Sequence, residues 1–234
     1  MKIAIHQPEF LPWLGFFDKM AQADLYVVFD HVQFKKRYFE NRNRMVSPDG
    51  EIFFLTVPVI SKGRFTQAIR NVEIDNSQRW KEKFLGRLKQ YYHQARFFSR
   101  YYEELTVLLG SRTFTHLIDL NMELIAFFRK NLLISCPMVF SSTLGVEAYT
   151  GSDLILQICR TQKADTYLCG ASGKDYLKTD AFVTEKIDIQ WLAYTPPEYA
   201  QLCARYAPNL STLDLLFNHG EKSLGILQKK LIGD

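Results

Sequence analysis

The 234-residue chain is short of cysteine and holds no long apolar run. Its four cysteines, Cys136, Cys159, Cys169 and Cys203, are widely spaced and form no C-x-x-C. That spacing argues against a zinc site and against a disulfide framework. Cys136 and Cys159 sit among apolar residues and read as small buried hydrophobes. Cys169 precedes a glycine-rich turn, so a nucleophilic thiol is weighed there beside a buried one. No apolar stretch approaches the ~20 residues that span a bilayer. The longest, Leu117–Phe128, is broken by Asp119, Asn121 and Glu123. Met1–His6 lacks the pattern of a secretory leader. A soluble, cytoplasmic protein with no membrane span is expected. Asp and His do not fall at metal-ligand spacing, so no metal is expected.

A large charge imbalance is missing too. The chain has 29 Lys+Arg against 25 Asp+Glu, a formal +4, with 47% apolar and 23% charged residues. Disorder and collagen are excluded by this composition. What charge there is, however, is concentrated. Residues 30–44 carry net +3 and residues 79–100 net +6, so the remainder is negative. Concentrated positive charge attracts anions.

The pattern along the chain is that of an α/β protein. Lys2–His6 reads as a buried strand, Trp13–Ala23 as an amphipathic helix and Leu25–Phe29 as a second strand, the opening of a parallel sheet. A hairpin follows, Arg44–Val46 and Glu51–Val57, joined by Ser47-Pro48-Asp49-Gly50. Ile69–Ile74 is read as a further strand. The texture then turns helical: Gln78–Tyr92 capped by Ser77, a helix from Ser99 or Arg100 to Leu109, and Thr115–Asn131. This block, about 77–135, is expected to be a helical subdomain inserted in one domain spanning 1–234. The sheet resumes with Met138–Ser141, a helix over Ser152–Gln162, Thr166–Cys169 and Ile187–Leu192. Ser211–Phe217 and Glu221–Leu231 are expected to be helical. The fold class is a Rossmann-like parallel sheet.

Five segments could carry chemistry. His6-Gln7-Pro8 lies at the carboxyl end of the first strand, where open parallel sheets bind ligands. His6 and Gln7 there serve as base and hydrogen-bond donor, contact a phosphate, or fix the loop. Trp13 packs, or stacks on a base or sugar. In Asp30–Arg44, Asp30 ends the second strand and can take a sugar hydroxyl, a metal or an amine. Gln33, Asn41, Arg42, Asn43 and Arg44 offer planar donors suited to phosphate, or form a solvated basic loop. In Tyr167–Leu177, Gly170 and Gly173 would allow close backbone approach by a ligand, with Ser172 and Lys174 as partners for phosphate or carboxylate. The basic stretch Arg79–Arg100, interleaved with Trp80, Tyr91, Tyr92 and Phe97, either binds nucleic acid or coats a packed helix. In Leu213–Gly220, Asn218 and His219 cap a helix or join a site.

The ordered set H-Q-P-x-F-L-P-W-L-G-F-F-D-K, D-x-V-Q-F, N-R-N-R, S-S-T-L-G, Y-L-C-G-A-S-G-K-D-Y-L and L-D-L-L-F-N-H-G resembles the WbqC-like proteins of bacterial polysaccharide and O-antigen clusters. The likeness runs from residue 3 to about 220. It implies transfer of glycine or another acyl group onto an amino sugar. It also carries shared polar positions: His6, Gln7, Pro8, Trp13, Asp30, Gln33, Asn41, Arg42, Gly170, Ser172, Gly173, Tyr176 and Asn218. A looser resemblance, through the first strand, V-Q-F and Gly173-Lys174-Asp175, is to pantothenate synthetases and related nucleotidylyl-transferase-like folds, although no H-x-G-H is present.

The expectation is thus a transferase that acylates the amine of a nucleotide-linked amino sugar. His6 or Asp30 would be the base, and Arg42, Arg44 and the Gly170–Gly173 turn would hold the diphosphate. The activated acyl donor is ATP plus an amino acid, a coenzyme A thioester or an aminoacyl-tRNA. The alternatives are a non-catalytic nucleic-acid or tRNA binder and a scaffold for glycan-assembly enzymes.

Overall fold

Ile3, Ala4 and Ile5 are all buried, with no alternation between faces. A strand buried on both sides is the mark of a parallel sheet covered by helices front and back. The structure is a computed structural model and describes residues 1–228. Its sheet contains β1 (Lys2–His6), β2 (Leu25–Val28), β5 (Met138–Phe140), β6 (Thr166–Gly170) and β7 (Asp188–Leu192) in the order β5-β2-β1-β6-β7, with every pairing parallel. The chain winds outward from β1 through β2 to β5, then crosses back to β6 on the other side of β1. This is the doubly wound Rossmann-like arrangement, and its winding direction reverses between β1 and β6.

Alternate strand residues feed two cores. Ala4, Tyr26, Val28 and Leu168 pack on one face, against α1 (Leu14–Ala21), α7 (Thr212–His219) and the helices α2 (Trp80–Tyr92), α3 (Phe98–Gly110) and α4 (Leu117–Asn131). Ile3, Ile5, Val27, Tyr167 and Cys169 pack on the other, against α5 (Gly151–Thr161) and α6 (Thr179–Thr184). In α2, Trp80, Phe84, Leu88 and Tyr92 recur every fourth residue and are buried, leaving its Lys and Arg residues outside. The separate hairpin of β3 (Arg42–Val46) and β4 (Ile52–Thr56) is antiparallel, and Gly50 takes φ +86 in its turn. Among the described residues no helix is long and apolar enough to cross a membrane.

Three local expectations change. Ile69–Asn71 is a 3-10 turn, not a strand, and among the described residues only single bridges flank it, Gln33 with Ala68, Val59 with Ile74 and Glu73 with His116. Residues three apart eclipse in that geometry, so Ile69 and Val72 are both buried. Ser77 does not cap α2; its hydroxyl donates to Asp75 Oδ1 at 2.6 Å. The tail is a 3-10 turn at Gly220–Lys222 followed by α8 (Ser223–Leu227), and 229–231 of the expected helix lie outside the described residues.

Gly173, in the 3-10 turn Ala171–Asp175 after β6, is required by packing. A Cβ there would collide with Cys169 Sγ and press on Trp191. Gly173→Ala is expected to destabilise the protein by about 1–3 kcal/mol, the usual size of an overpacking penalty. The Cys169→Ala/Gly173→Ala pair should recover part of that loss in thermal unfolding. A single variant as stable as the parent would refute the packing role.

Candidate functional site

The parallel register Ala4 with Leu168, continued two residues, sets His6 level with Gly170. The carboxyl ends of β1 and β6 are therefore neighbours at the point where the winding reverses. Open space surrounds the position where Gly170 would carry a side chain. Ser172, Lys174 and Tyr176 stand exposed on the turn that follows. Gln7 is partly buried in the loop after β1, and its carbonyl oxygen lies 3.0 Å from His6 Nδ1.

Beneath this edge lies a group of buried ionisable side chains. Lys19 points inward from α1, and its ammonium donates to Ile5 O at 2.9 Å. Burial pushes its pKa down to about 8. His6 rests edge-on against Phe16, with ring centroids 5.2 Å apart. Burial, reinforced by the Lys19 charge, pushes its pKa down to about 4. A nitrogen facing a carbonyl must carry the proton, so Nδ1 is the donor and Nε2 keeps its lone pair. Nε2 lies 3.9 Å from Glu9 Oε1. Burial and the adjacent Glu40 push Glu9 up to about 8, so it is protonated at neutral pH.

Glu40 is fully buried and neither carboxyl oxygen has a hydrogen-bond partner; burial pushes it up to about 7. Three bonds tie the turn that carries it and the Glu9 loop together. Phe10 N–H donates to Phe39 O at 3.0 Å. The buried Asn121 amide of α4 donates to both Pro8 O (2.9 Å) and Glu40 O (2.8 Å). A neutral imidazole beside a protonated carboxyl, with a lysine below, can take and return a proton at the strand end.

The other sequence-predicted residues lie outside this group. Asp30 is buried and its carboxylate is taken up by β5's end: it accepts from Ser141 Oγ (2.9 Å), Ser142 N–H (2.9 Å) and Ser142 Oγ (2.6 Å). Ser141 spends its proton on Asp30, so His31 Nδ1, 2.6 Å away, donates to Ser141 Oγ. Asp30 thus clamps β2 to β5, beside a cleft of about 520 Å³ lined by Arg70, Phe140 and one side of α4.

The Asn-Arg alternation splits across two faces of β3. Asn41 and Asn43 are buried and donate to the backbone oxygens of Val57, Phe10 and Leu11. Arg42 lies on the opposite side, 4.4 Å over the Phe54 ring, and Arg44 projects with it by strand alternation. Gln33 Nε2 donates to Phe65 O at 2.9 Å. Trp13 folds over Gly15 and meets Tyr194 edge-on at 5.7 Å. Asn218 bonds within its own helix, to Asp214 O at 2.8 Å. The turn after β6 stays near His6, and Asp30 follows Val28 and Phe29, which pair with His6, while Arg42, Trp13 and Asn218 make their contacts on other elements.

Cys169 is buried, and burial raises its pKa, which disfavours a thiolate. The aromatics Trp80 and Tyr92 are core residues, while Tyr91 packs on Phe53 at 4.9 Å. The two basic segments do meet. Phe54 lies under Arg42, and its carbonyl oxygen accepts from Arg87 at 3.1 Å. Among the described residues no group of three or more His, Cys, Asp or Glu comes together as a metal site. Sequence reasoning missed Glu9, Lys19, Glu40 and Asn121. The available signal was a charged or amide residue inside an apolar run, as in Pro8-Glu9-Phe10-Leu11 or Phe17-Asp18-Lys19-Met20.

The buried Glu9 has a consequence for stability. In the unfolded chain it ionises near its ordinary value, while in the folded chain it keeps its proton to about pH 8. Between those values the folded state binds the extra proton, so Glu9's contribution to stability declines as pH rises. Glu9→Gln should therefore lose less melting temperature than the parent between pH 5 and pH 9. Parallel curves for the two proteins would contradict a buried, protonated Glu9.

Comparison with known proteins adds the lineage. The model of the WbqC-like protein family matches residues 7–226. An uncharacterized protein of Mycobacterium tuberculosis, Rv1507c, is 32% identical over 224 residues, covering 95% of each chain. No solved structure matches. With a family model spanning nearly its whole length and a relative of that similarity, the chain belongs to the WbqC-like protein family.

Proposed function

We propose that the protein is a transferase that acylates the amine of a nucleotide-linked amino sugar, with the reaction centred on His6. The observation that carries this reading is the set His6, Glu9 and Lys19 at the carboxyl ends of β1 and β6. Doubly wound sheets bind nucleotides and similar ligands in the crevice at that reversal point. The family membership agrees with work on surface polysaccharide, which is what the motif resemblance implies.

In this reading the diphosphate of the nucleotide-linked sugar lies against the open backbone at Gly170, with Ser172 and Lys174 as partners and Tyr176 at the rim. Gln7 orients the sugar. The amine is activated by His6. Its Nε2, already unprotonated, takes the proton from the nitrogen as the nitrogen attacks the acyl carbonyl. An N–C bond forms and the bond from the acyl carbon to its leaving group breaks. The imidazolium, a strong acid at this site, gives that proton to the departing group, while Glu9, protonated and 3.9 Å from Nε2, adds no charge beside the ring. The donor is an acyl adenylate made from ATP and an amino acid, a coenzyme A thioester, or an aminoacyl-tRNA. Asp30 is engaged by Ser141 and Ser142, so this reading gives the amine-activating role to His6. Arg42 and Arg44, on the separate hairpin, leave the diphosphate to the β6 turn.

The test is product formation. Purified protein is incubated with nucleotide-linked amino sugars and each donor class in turn, and amides are sought by mass spectrometry. One donor should yield an amide. His6→Ala should lower kcat/KM by about 10²- to 10⁴-fold, the usual worth of a general base. His6 stays uncharged down to about 4, so the acidic limb of kcat/KM should follow the substrate's own ammonium, with no enzyme group titrating like an ordinary histidine near ~6.5. No amide from folded protein with any donor overturns the proposal.

A further inference from the structure

Among the described residues the outer edge of β4 pairs with no strand, although its continuation at Pro58 and Ile60 is met by Asp75 N–H and Glu73 O. Val57 N–H donates to Asn41 O at 2.8 Å and Ser47 N–H to Glu51 O at 2.9 Å. In an antiparallel ladder the hydrogen-bonded pairs fall at every second residue, so residues 43 with 55 and 45 with 53 belong to that set. The backbone groups of Phe54 and Thr56 therefore face away from β3. One of them is met, Phe54 O, by Arg87 Nη1 of α2 at 3.1 Å.

A groove of about 600 Å³ runs between this edge and α2. Trp80 and Phe84 form its apolar floor, and Lys83 and Arg87 line its side. No carboxylate lines it. Arg42 adds a third cation over the Phe54 ring. Gly86 also opens onto the groove, from the interior of α2. Glycine weakens a helix interior relative to alanine. Nothing lies within 4 Å of the place its Cβ would occupy, so no contact inside the fold calls for it. What glycine provides is room for another backbone to come close.

We propose that this groove receives an extended segment of another protein, rich in acidic side chains, as a third strand beside β4. Its backbone would pair with the N–H groups of Phe54 and Thr56, the mode by which exposed strand edges capture peptides. Alternate side chains would rest on Trp80 and Phe84, and the acidic ones would meet Lys83 and Arg87, drawing Arg87 off Phe54 O. A second copy of this chain fits badly. Two β4 edges paired about a twofold axis would bring the cations of one copy against those of the other. A nucleic acid would use the cations but has no need of the strand edge or of Gly86. The site is separate from the His6 centre and stands or falls independently of it.

The test is selection from a random-peptide library on the full-length protein, followed by binding of an enriched peptide measured by fluorescence anisotropy. Enriched peptides should carry Asp or Glu at alternate positions, and their binding should slow hydrogen exchange at the Phe54 and Thr56 amides. Gly86→Trp, at an exposed position, should remain folded by thermal unfolding and weaken binding by about tenfold or more, the loss expected on blocking a central contact. Gly86→Ala should raise the melting temperature and weaken binding, though less than Gly86→Trp does. No enrichment, enrichment of basic sequences, or binding unmoved by Gly86→Trp overturns the proposal. So does a short single-stranded oligonucleotide that binds the groove more tightly than the enriched peptide.

Discussion

The side-chain amide of Asn121 is fully buried in α4 and donates to two backbone oxygens that belong to different parts of the chain, Pro8 O and Glu40 O. Both carbonyls are out of water, and a buried carbonyl left unpaired is costly. The amide therefore fixes the loop that leaves β1 relative to the segment that leads into β3. Glu9 follows Pro8 directly, and Glu40 is itself one of the anchored residues. The position of both acids, and through Glu9 the surroundings of His6, is set from a helix more than eighty residues further along the chain. The three-helix segment is thus tied to the strand edge by hydrogen bonds as well as by packing.

With the loop held, the electrostatics follow from burial. Charged forms are disfavoured in a dry interior, so acids keep their protons and bases lose theirs. Glu9 and Glu40 move up, Lys19 and His6 move down. The outcome at neutral pH is a neutral His6 and a protonated Glu9, with Glu40 near its midpoint and Lys19 still largely an ammonium, so several groups there can exchange protons. Asp214 repeats the logic elsewhere. Fully buried, it moves up to about 6 although Tyr92, Tyr199 and Gln201 all donate to it. It ties α2 and the segment around residue 200 to α7, far from the strand ends.

Much of the fold was legible in the sequence. Strands buried on both faces announce themselves as apolar runs, and α2 and α4 carry a clear helical period, so the parallel sheet and its helices could be read directly. Ile69–Ile74 misled because a 3-10 turn and a strand both bury spaced apolar residues, and six residues cannot separate the two periods. The site was legible only in part. His6 and the Gly170 turn stand out because strand ends can be located. Asp30 is equally well placed at a strand end, but its partners Ser141 and Ser142 lie more than a hundred residues away, and no local pattern shows that both serines donate to it. Asn41 and Arg42 looked like one donor set because sequence does not show that adjacent strand residues face opposite sides of a particular hairpin. Lys19 and Glu9 went unnoticed because their meaning comes from burial, which the fold alone decides.

The strand order also has a temporal side. β1 is the central strand and is made before the other strands of its sheet, yet its partner β6 begins at Thr166 and β2's outer partner β5 at Met138. During synthesis β1 and β2 can pair, but the apolar edge residues of this pair stay uncovered while more than a hundred further residues are made. Contacts of such long sequence separation form slowly, and exposed strand edges are prone to wrong partners in the interval. The helices between β4 and β5 are made during that gap, and Ala4, Tyr26 and Val28 pack in the same core as they do. The segment that positions the strand edge in the finished protein is thus also the one available to shelter it while the rest of the sheet is being made.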